Sequence, residues 1–306
     1  MARSGRIMRK EALRMKILFV GLGQMGRRMA TRLNADDTAV WNRSSGIVQE
    51  FKEKGYSVPT NLSDGVRDAD VVITMLRDQE AVRSVGDRGL FSGLRPGQVW
   101  VDMTTGAPQA ADSFHALAAS QGATFVAAPV VGTLGPAQQG TLTVLVGGSD
   151  ENIAKVRPVL ERFGTLHVVG TPRQALVMKL VVNTVLAYYM DAVSECLPVL
   201  DAEHISRDKA LALLAQSSVA APVIKGKGQR WQSKHYDQAE FPIELLAKDL
   251  DLMTNLATQS GWDLPGVSAL LTLFRQASQQ EQSRHWDMAG VGEALAHPLG
   301  QAISDK

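Results

Sequence analysis

Residues 16–29 read KILFVGLGQMGRRM, an apolar run that breaks at a glycine and reopens as an amphipathic segment. Between the two, Gly21, Gly23 and Gly26 stand in G-x-G-x-x-G spacing. A strand, a tight turn and a helix in that order use the first glycine for the turn. The second lets the backbone approach an anion, and the third lets the helix pack closely on the strand. The helix N-terminus then faces the anion, so this start directs the chain toward an α/β unit that takes a dinucleotide pyrophosphate. The plain alternative is a glycine-rich turn with no ligand.

Beyond this unit the chain keeps the same rhythm. KILFVG (16–21), TAVWN (38–42), DVVITML (70–76), QVWVDM (98–103), TFVAAPV (124–130) and TLTVLVGG (141–148) read as strands, and QMGRRMATRLN, GIVQEFKEKG, QEAVRSVG and APQAADSFHALAASQG as the helices between them. Alternation of this kind predicts a doubly wound parallel sheet of the Rossmann type. After LHVVG (166–170) strands nearly cease. Thr171, Pro172 and Gln174 have the order of an N-cap, a first-turn proline and the third member of a capping box. They predict a helix of about seven turns toward Leu197, ended or kinked at Pro198, with further helices at 207–217, 242–260, 265–283 and 287–296. The fold class is therefore α/β, with a dinucleotide-binding domain over 15–169 and an all-helical substrate and oligomerisation domain over 170–306.

Composition narrows the function classes. With 32 basic against 31 acidic side chains, no overall field favours nucleic acid or an anionic membrane. The exception is the opening MARSGRIMRKEALRMK, read as a basic, disordered tail over residues 1–14 in preference to a docking arm. One cysteine, Cys196, excludes an intrachain disulfide and, lying on an apolar helix, is expected to be a buried small hydrophobe. Six scattered histidines show no ligand spacing, so no metal site is expected. Absence of an h-region after the basic start, and of any apolar run near the roughly 18 residues of a membrane span, leads to the expectation of a cytoplasmic protein with no membrane or nucleic-acid partner.

Two local features carry chemistry. In MKLVVNTVLAYYM (178–190), Lys179 and Asn183 are four residues apart and share a helix face within an apolar run. An unpartnered buried amine costs several kcal/mol or sheds its proton, so such placement asks for a reason. The second feature is WNRSS, at the end of the strand about twenty residues after the glycine loop, where NAD sites place an acidic residue. Asn42, Arg43 and Ser44 offer donors and a planar cation instead, which suits a 2′-phosphate and makes NADP(H) the expected cofactor over NAD(H).

These motifs occur in an order that resembles the β-hydroxyacid dehydrogenase family, especially its 3-hydroxyisobutyrate dehydrogenase and glyoxylate/succinic semialdehyde reductase branches. GLGQMG is similar to the family's cofactor loop, VDMTTGAP to its DxST segment, APVVGTLGPAQQGTLTVLVGG to its substrate loop, KLVVN to its KxxxN helix and FPIELLAKDLDLM to a segment that closes the site. The resemblance runs from Met15 to about Leu295. It implies reduction of a small aldehyde or keto acid, with Lys179 as general acid, or as general base in the reverse direction, and Asn183 holding the lysine or the substrate. It also implies that Thr104 and Thr105 lie near the nicotinamide or the substrate carboxylate, that Gly132 and Thr133 offer backbone N–H groups beside Val131, and that Phe241 packs on the substrate. Lys248 and Asp249 would approach the nicotinamide and the lysine. Leu22, Gln24, Met25 and Leu76 complete the implied cofactor set, and a homodimer or homotetramer is the implied assembly.

The match departs at three positions. The family's substrate-loop serine is Val131 here, and the glycines that usually precede the catalytic helix are Arg173 and Ala175. Loss of one charge-assisted hydrogen bond at Val131 is worth roughly 1.5–3 kcal/mol, enough to alter substrate preference. Two other readings therefore stand beside the reductase: an imine reductase, a related group that usually lacks this lysine, and a non-catalytic NADP-binding sensor or assembly protein.

Overall fold

The computed structural model describes residues 15–296; the tail expected over 1–14 lies outside them. The chain divides into two compact units, one comprising residues up to Thr105 with Gln109–Ala175, the other Gly106–Pro108 with the residues from Leu176 onward.

The first unit is built on eight strands: β1 (Ile17–Val20), β2 (Thr38–Trp41), β3 (Val71–Thr74), β4 (Val99–Asp102), β5 (Thr124–Ala127), β6 (Val130–Val131), β7 (Leu142–Gly147) and β8 (Gly164–Gly170). Their order is β2-β1-β3-β4-β5-β7-β6, with β8 also paired to β7. β1, β3 and β4 are buried along their whole length, as continuous apolar runs in a sheet covered on both faces require. Pairing is parallel from β2 through β5, but β7 runs antiparallel to β5 and β6. For the β6–β7 pair the reason is chain length: residues 132–141 are too few for the crossover a parallel neighbour needs. Because β2 and β3 flank β1 on opposite sides, strand order reverses there, and the carboxyl ends of β1 and β3 form the crevice where such sheets take ligands.

Eight helices accompany the sheet: α1 (Gln24–Ala30), α2 (Ser45–Glu53), α3 (Leu62–Asp68), α4 (Gln79–Val85), α5 (Phe91–Gly93), α6 (Pro108–Ser120), α7 (Leu134–Gln139) and α8 (Asp150–Leu160). Of these, α3, α5, α7 and α8 were not legible as periodic segments; α3 and α8 are set by side-chain N-caps from Asn61 and Ser149. Trp100 on β4 is fully buried among Phe91, Phe114 and Phe125, with ring centroids 4.9–5.8 Å from its own. Such a cluster adds about 0.5–1.5 kcal/mol per pair beyond area burial.

The second unit is helical: α9 (Pro172–Ala202, whose first turn belongs to the sheet unit), α10 (Arg207–Leu214), α11 (Pro222–Ser233), α12 (Ile243–Gln259), α13 (Pro265–Gln279) and α14 (Val291–Leu295). The capping box opening α9 forms as its sequence suggests. Gln174 N–H donates to Thr171 Oγ1 at 3.3 Å, and Thr171 N–H donates to Gln174 Oε1 at 2.8 Å. Of the two outcomes expected at Pro198, an end or a kink, the end is corrected, since α9 continues to Ala202. Cys196 is corrected too: it is exposed on α9, which turns a different stripe toward the core. Helix α11 was missed because Gly226 and Gly228 depress its propensity; burial of Ile224 and Trp231 holds it instead. By length and composition α9 is the one described helix able to cross a membrane, yet Lys179, Asp191 and Glu195 interrupt it.

Candidate active site

In the sheet unit the glycine loop has the geometry its spacing demands. Gly21 adopts φ +103°, open to glycine, and a Cβ there would run into Met75 O. A Cβ on Gly26 would strike Gly21 O, so helix and turn can touch only because that atom is missing. Gly23 is exposed, and a Cβ there would meet nothing within 4 Å. That open backbone is what a pyrophosphate needs, and on this ground the loop fits a dinucleotide. Leu22 is buried while Met25 is half-buried. Exposed Gln24 accepts from Arg27 at 2.6 Å and from Arg28 at 3.0 Å.

Asn42, Arg43 and Ser44 follow β2. Asn42 Oδ1 accepts the Leu22 N–H at 3.0 Å, so this side chain fastens the glycine loop to the second strand. Arg43 is exposed and Ser44 caps α2 without a side-chain bond. After β3, the Leu76 N–H donates to Thr104 Oγ1 at 3.1 Å. Thr104 is buried and Thr105 half-buried. Thr104 N–H in turn donates to Asp102 Oδ1 at 3.2 Å, and Thr74 Oγ1 donates to the same oxygen at 2.7 Å. Burial pushes the Asp102 carboxyl up to about 6, against the opposing pull of the Thr74 and Thr104 hydrogen bonds. From sequence Asp102 stands only as the first residue of the DxST-like segment, with no role assigned; a lone carboxylate closing the apolar run VWVD was the available signal for one. In the loop after β6, Val131 is half-buried, Gly132 holds φ +136° and Thr133 is the N-cap of α7. Arg173 is ion-paired with Asp112 at 2.6 Å, both side chains substantially exposed.

In the helical unit the structure brings Lys179, Asn183, Lys248 and Asp249 together. Lys179 is 7% exposed, Asn183 2% and Asp249 3%. Lys179 Nζ donates to Asn183 Oδ1 at 2.9 Å, and Asn183 Nδ2 donates to Asp249 Oδ2 at 2.6 Å. A carboxylate only accepts, so Asp249 fixes the direction of the Asn183 amide and turns its oxygen to the lysine. The other oxygen, Oδ1, lies 3.0 Å from Lys248 Nζ, an ion pair without hydrogen-bond alignment. Burial drives the Lys179 amine down to about 8, with the Lys248 charge acting in the same direction and Asp249 opposing. A lysine so placed can hold a proton near neutral pH and release it within reach of a modest base.

Phe241 is half-buried and pinned through its backbone. Its N–H donates to Asp287 Oδ2 at 3.3 Å and its carbonyl accepts from Met288 N–H at 2.9 Å. Asp287 is itself fully buried against Lys227 Nζ at 2.8 Å. That pair was not found from sequence, because Lys227 and Asp287 are far apart along the chain and neither lies in a motif.

Comparison with known proteins bears on both units. Residues 16–174 match the NAD binding domain of 6-phosphogluconate dehydrogenase, and residues 174–295 match the NAD-binding domain of NADP-dependent 3-hydroxyisobutyrate dehydrogenase. Glyoxylate/succinic semialdehyde reductase 1 of Arabidopsis thaliana is 29% identical over 268 residues, covering 86% of this chain and 92% of that protein. The 3-sulfolactaldehyde reductase of Escherichia coli K12 is 30% identical over 301 residues, covering 95% and 99%. Among solved structures, Psf3 in complex with NADP+ and 2-OPP superposes with a TM-score of 0.83 at 25% identity over 92% of this chain and 100% of that one. A looser likeness in fold, TM-score 0.60 at 19% identity over 92% and 100%, extends to an imine reductase from Pseudomonas sp.. With both units matched in order and the glycine loop intact, the chain belongs to the β-hydroxyacid dehydrogenase family of NAD(P)-binding oxidoreductases, of the 3-hydroxyisobutyrate dehydrogenase-like type.

Proposed function

We propose that this protein reduces a small aldehyde or keto acid with NADP(H) in preference to NAD(H), and oxidises the matching hydroxyacid in reverse, with Lys179 as general acid and base. The observation that carries the reading is the buried chain from Lys179 through Asn183 to Asp249. A structural lysine sends its ammonium to water or, like Lys227, buries it against carboxylates; this one is held in the interior by a single neutral acceptor, leaving further N–H bonds to offer.

When bound, NADPH supplies the hydride that the carbonyl carbon accepts. Lys179 delivers a proton to the oxygen as negative charge develops there, and regains one from solvent afterwards. Asn183 holds the amine in place, and Asp249 holds Asn183. Gly21, Gly23 and Gly26 would receive the pyrophosphate, with Leu22, Gln24 and Met25 beside it, and Arg43 and Ser44 the 2′-phosphate. Leu76, Thr104, Thr105 and Lys248 would serve the nicotinamide end. Gly132 and Thr133 would offer N–H groups to the substrate carboxylate, with Val131, Phe241 and Asp249 shaping its surroundings. Support comes from the family membership, from the NADP+ complex of a relative in fold, and from relatives named as reductases of small aldehydes. The same reading places the protein in the cytoplasm as a homodimer or homotetramer.

Purified protein is assayed with NADPH and with NADH against glyoxylate, succinic semialdehyde, further small aldehydes and keto acids, and a cyclic imine, with Lys179→Ala in parallel. The expected result is carbonyl turnover with NADPH that falls by about 10²–10⁴ in the variant. Turnover of the imine alone, undiminished by Lys179→Ala, would make the protein an imine reductase. Cofactor binding with no turnover at all would make it a sensor.

A further inference from the structure

We infer that Asp102 is a positioning residue for the dinucleotide, its Oδ1 tying the loop after β3 to the loop after β4 beside the glycine turn. The tie is a continuous run of hydrogen bonds inside the sheet unit. Trp100 Nε1 donates to Thr74 Oγ1 at 3.0 Å, and Thr74 Oγ1 donates to Asp102 Oδ1 at 2.7 Å. Thr104 N–H donates to that same oxygen at 3.2 Å, and Leu76 N–H donates to Thr104 Oγ1 at 3.1 Å. Leu76 closes the run at the glycine loop, because a Cβ on Gly21 would sit 2.8 Å from Leu76 Cδ2. The run therefore joins the carboxyl ends of β1, β3 and β4, at the point where strand order reverses and where sheets of this kind receive their ligands.

Packing alone does not account for the residue. Asp102, Thr74 and Thr104 are 5%, 0% and 1% exposed, and β4 otherwise consists of Val99, Trp100 and Val101. An aliphatic side chain would fill the place without burying a carboxylate. What the oxygen adds is one acceptor that takes a donor from each of two strand ends. Its effect is to hold Leu76 and Thr104 in fixed register, so that ordering them is already complete before the cofactor arrives. Asp102 acts through those residues and touches neither substrate nor cofactor itself.

The inference rests on the dinucleotide-binding half of the proposed function and is independent of which carbonyl is reduced, so the test reads binding. Wild type, Asp102→Ala, Asp102→Asn, Thr104→Val and the Asp102→Ala/Thr104→Val double variant are titrated with whichever of NADPH and NADH the wild type holds more tightly, following nicotinamide fluorescence. Melting curves of the cofactor-free proteins are recorded beside them. Asp102→Ala is expected to raise Kd about tenfold or more, and Thr104→Val similarly. The double variant is expected to be no worse than the poorer single one, the mark of residues acting in one chain. Asp102→Asn retains the acceptor oxygen and is expected to bind within about threefold of wild type, a rescue that a need for charge would not allow. Binding by Asp102→Ala within about threefold of wild type overturns the inference, as do losses that multiply in the double variant. Should Asp102→Ala not fold, Thr74→Val decides: it keeps the side-chain volume but removes the donor that aims Oδ1, and unchanged binding overturns the inference equally. A wild type that binds neither dinucleotide overturns it together with the cofactor reading, whereas one that binds but reduces no carbonyl overturns only the reductase reading.

Discussion

Lys179 is held among groups that disagree about its charge. Burial and the Lys248 ammonium favour the neutral amine, Asp249 favours the ammonium, and the balance puts the group at about 8. Two consequences have definite signs. In the proposed role of Lys179 as acid, carbonyl reduction needs the protonated form, so kcat/KM for reduction is expected to fall as pH rises through about 8, while oxidation of the hydroxyacid rises through the same region; initial-rate profiles in both directions check this. A profile with no inflection between about pH 7 and 9 would remove Lys179 as the acid. Stability follows by linkage. The folded value lies below that of an unfolded lysine, so the unfolded chain binds more protons between the two, and stability gains with pH across about 8 to 10. The melting temperature of wild type should therefore improve relative to Lys179→Met between neutral pH and about 10, measured at matched ionic strength.

Helices in the second unit owe their positions to ends and buried ion pairs as much as to apolar stripes. The Thr171–Gln174 capping box sets where α9 begins, and four residues beyond Ala175 the chain presents Lys179. At the far end, Arg207 on α10 gathers three elements. Its guanidinium donates to Asp201 at 2.9 and 2.6 Å, to Glu293 at 3.1 and 2.6 Å, and to the Trp231 carbonyl at 2.7 Å. Tyr236 donates to Glu293 as well. Removing the Arg207 cation leaves the half-buried Glu293 with Tyr236 alone and takes this donor from the buried Trp231 carbonyl, while Asp201 keeps Lys234. Arg207→Met is expected to cost about 3 kcal/mol in urea unfolding, with the slope of the transition unchanged. A loss below about 1 kcal/mol would show the cluster to be no more than a solvated surface network.

The whole molecule leaves apolar side chains of α9 uncovered. Met178, Val181, Val185, Tyr188 and Val199 are 38–63% exposed and recur at spacings of three, four and three before a longer step. Heptad-like spacing of this kind on a long helix marks a seam for another helix. A second copy of the chain is the occupant that the proposed homodimer or homotetramer supplies. Light scattering is expected to give a dimer or tetramer for wild type and a smaller species for Val181→Glu/Val185→Glu, which leaves the buried face of α9 untouched. A monomeric wild type would remove the proposed assembly.

Much of this was written along the chain, because it depends on neighbours in sequence. The glycine loop was legible from three residues within six, the capping box from four, and Lys179 with Asn183 from one helical turn. Local spacing determines such features directly, through backbone sterics and the 3.6-residue period. Tertiary structure decided the rest. Whether α9 would stop at Pro198, which side of it Cys196 would occupy and whether α11 would form despite two glycines all depended on what packed against them. Spacing alone gave the key polar groups no partners: Asp249, expected near the lysine only through the family resemblance, lies 66 residues from Asn183, and Thr74 lies 28 from Asp102. A hydrogen bond across such a separation leaves no periodic trace, because its energy arises only once the fold has brought its two ends together.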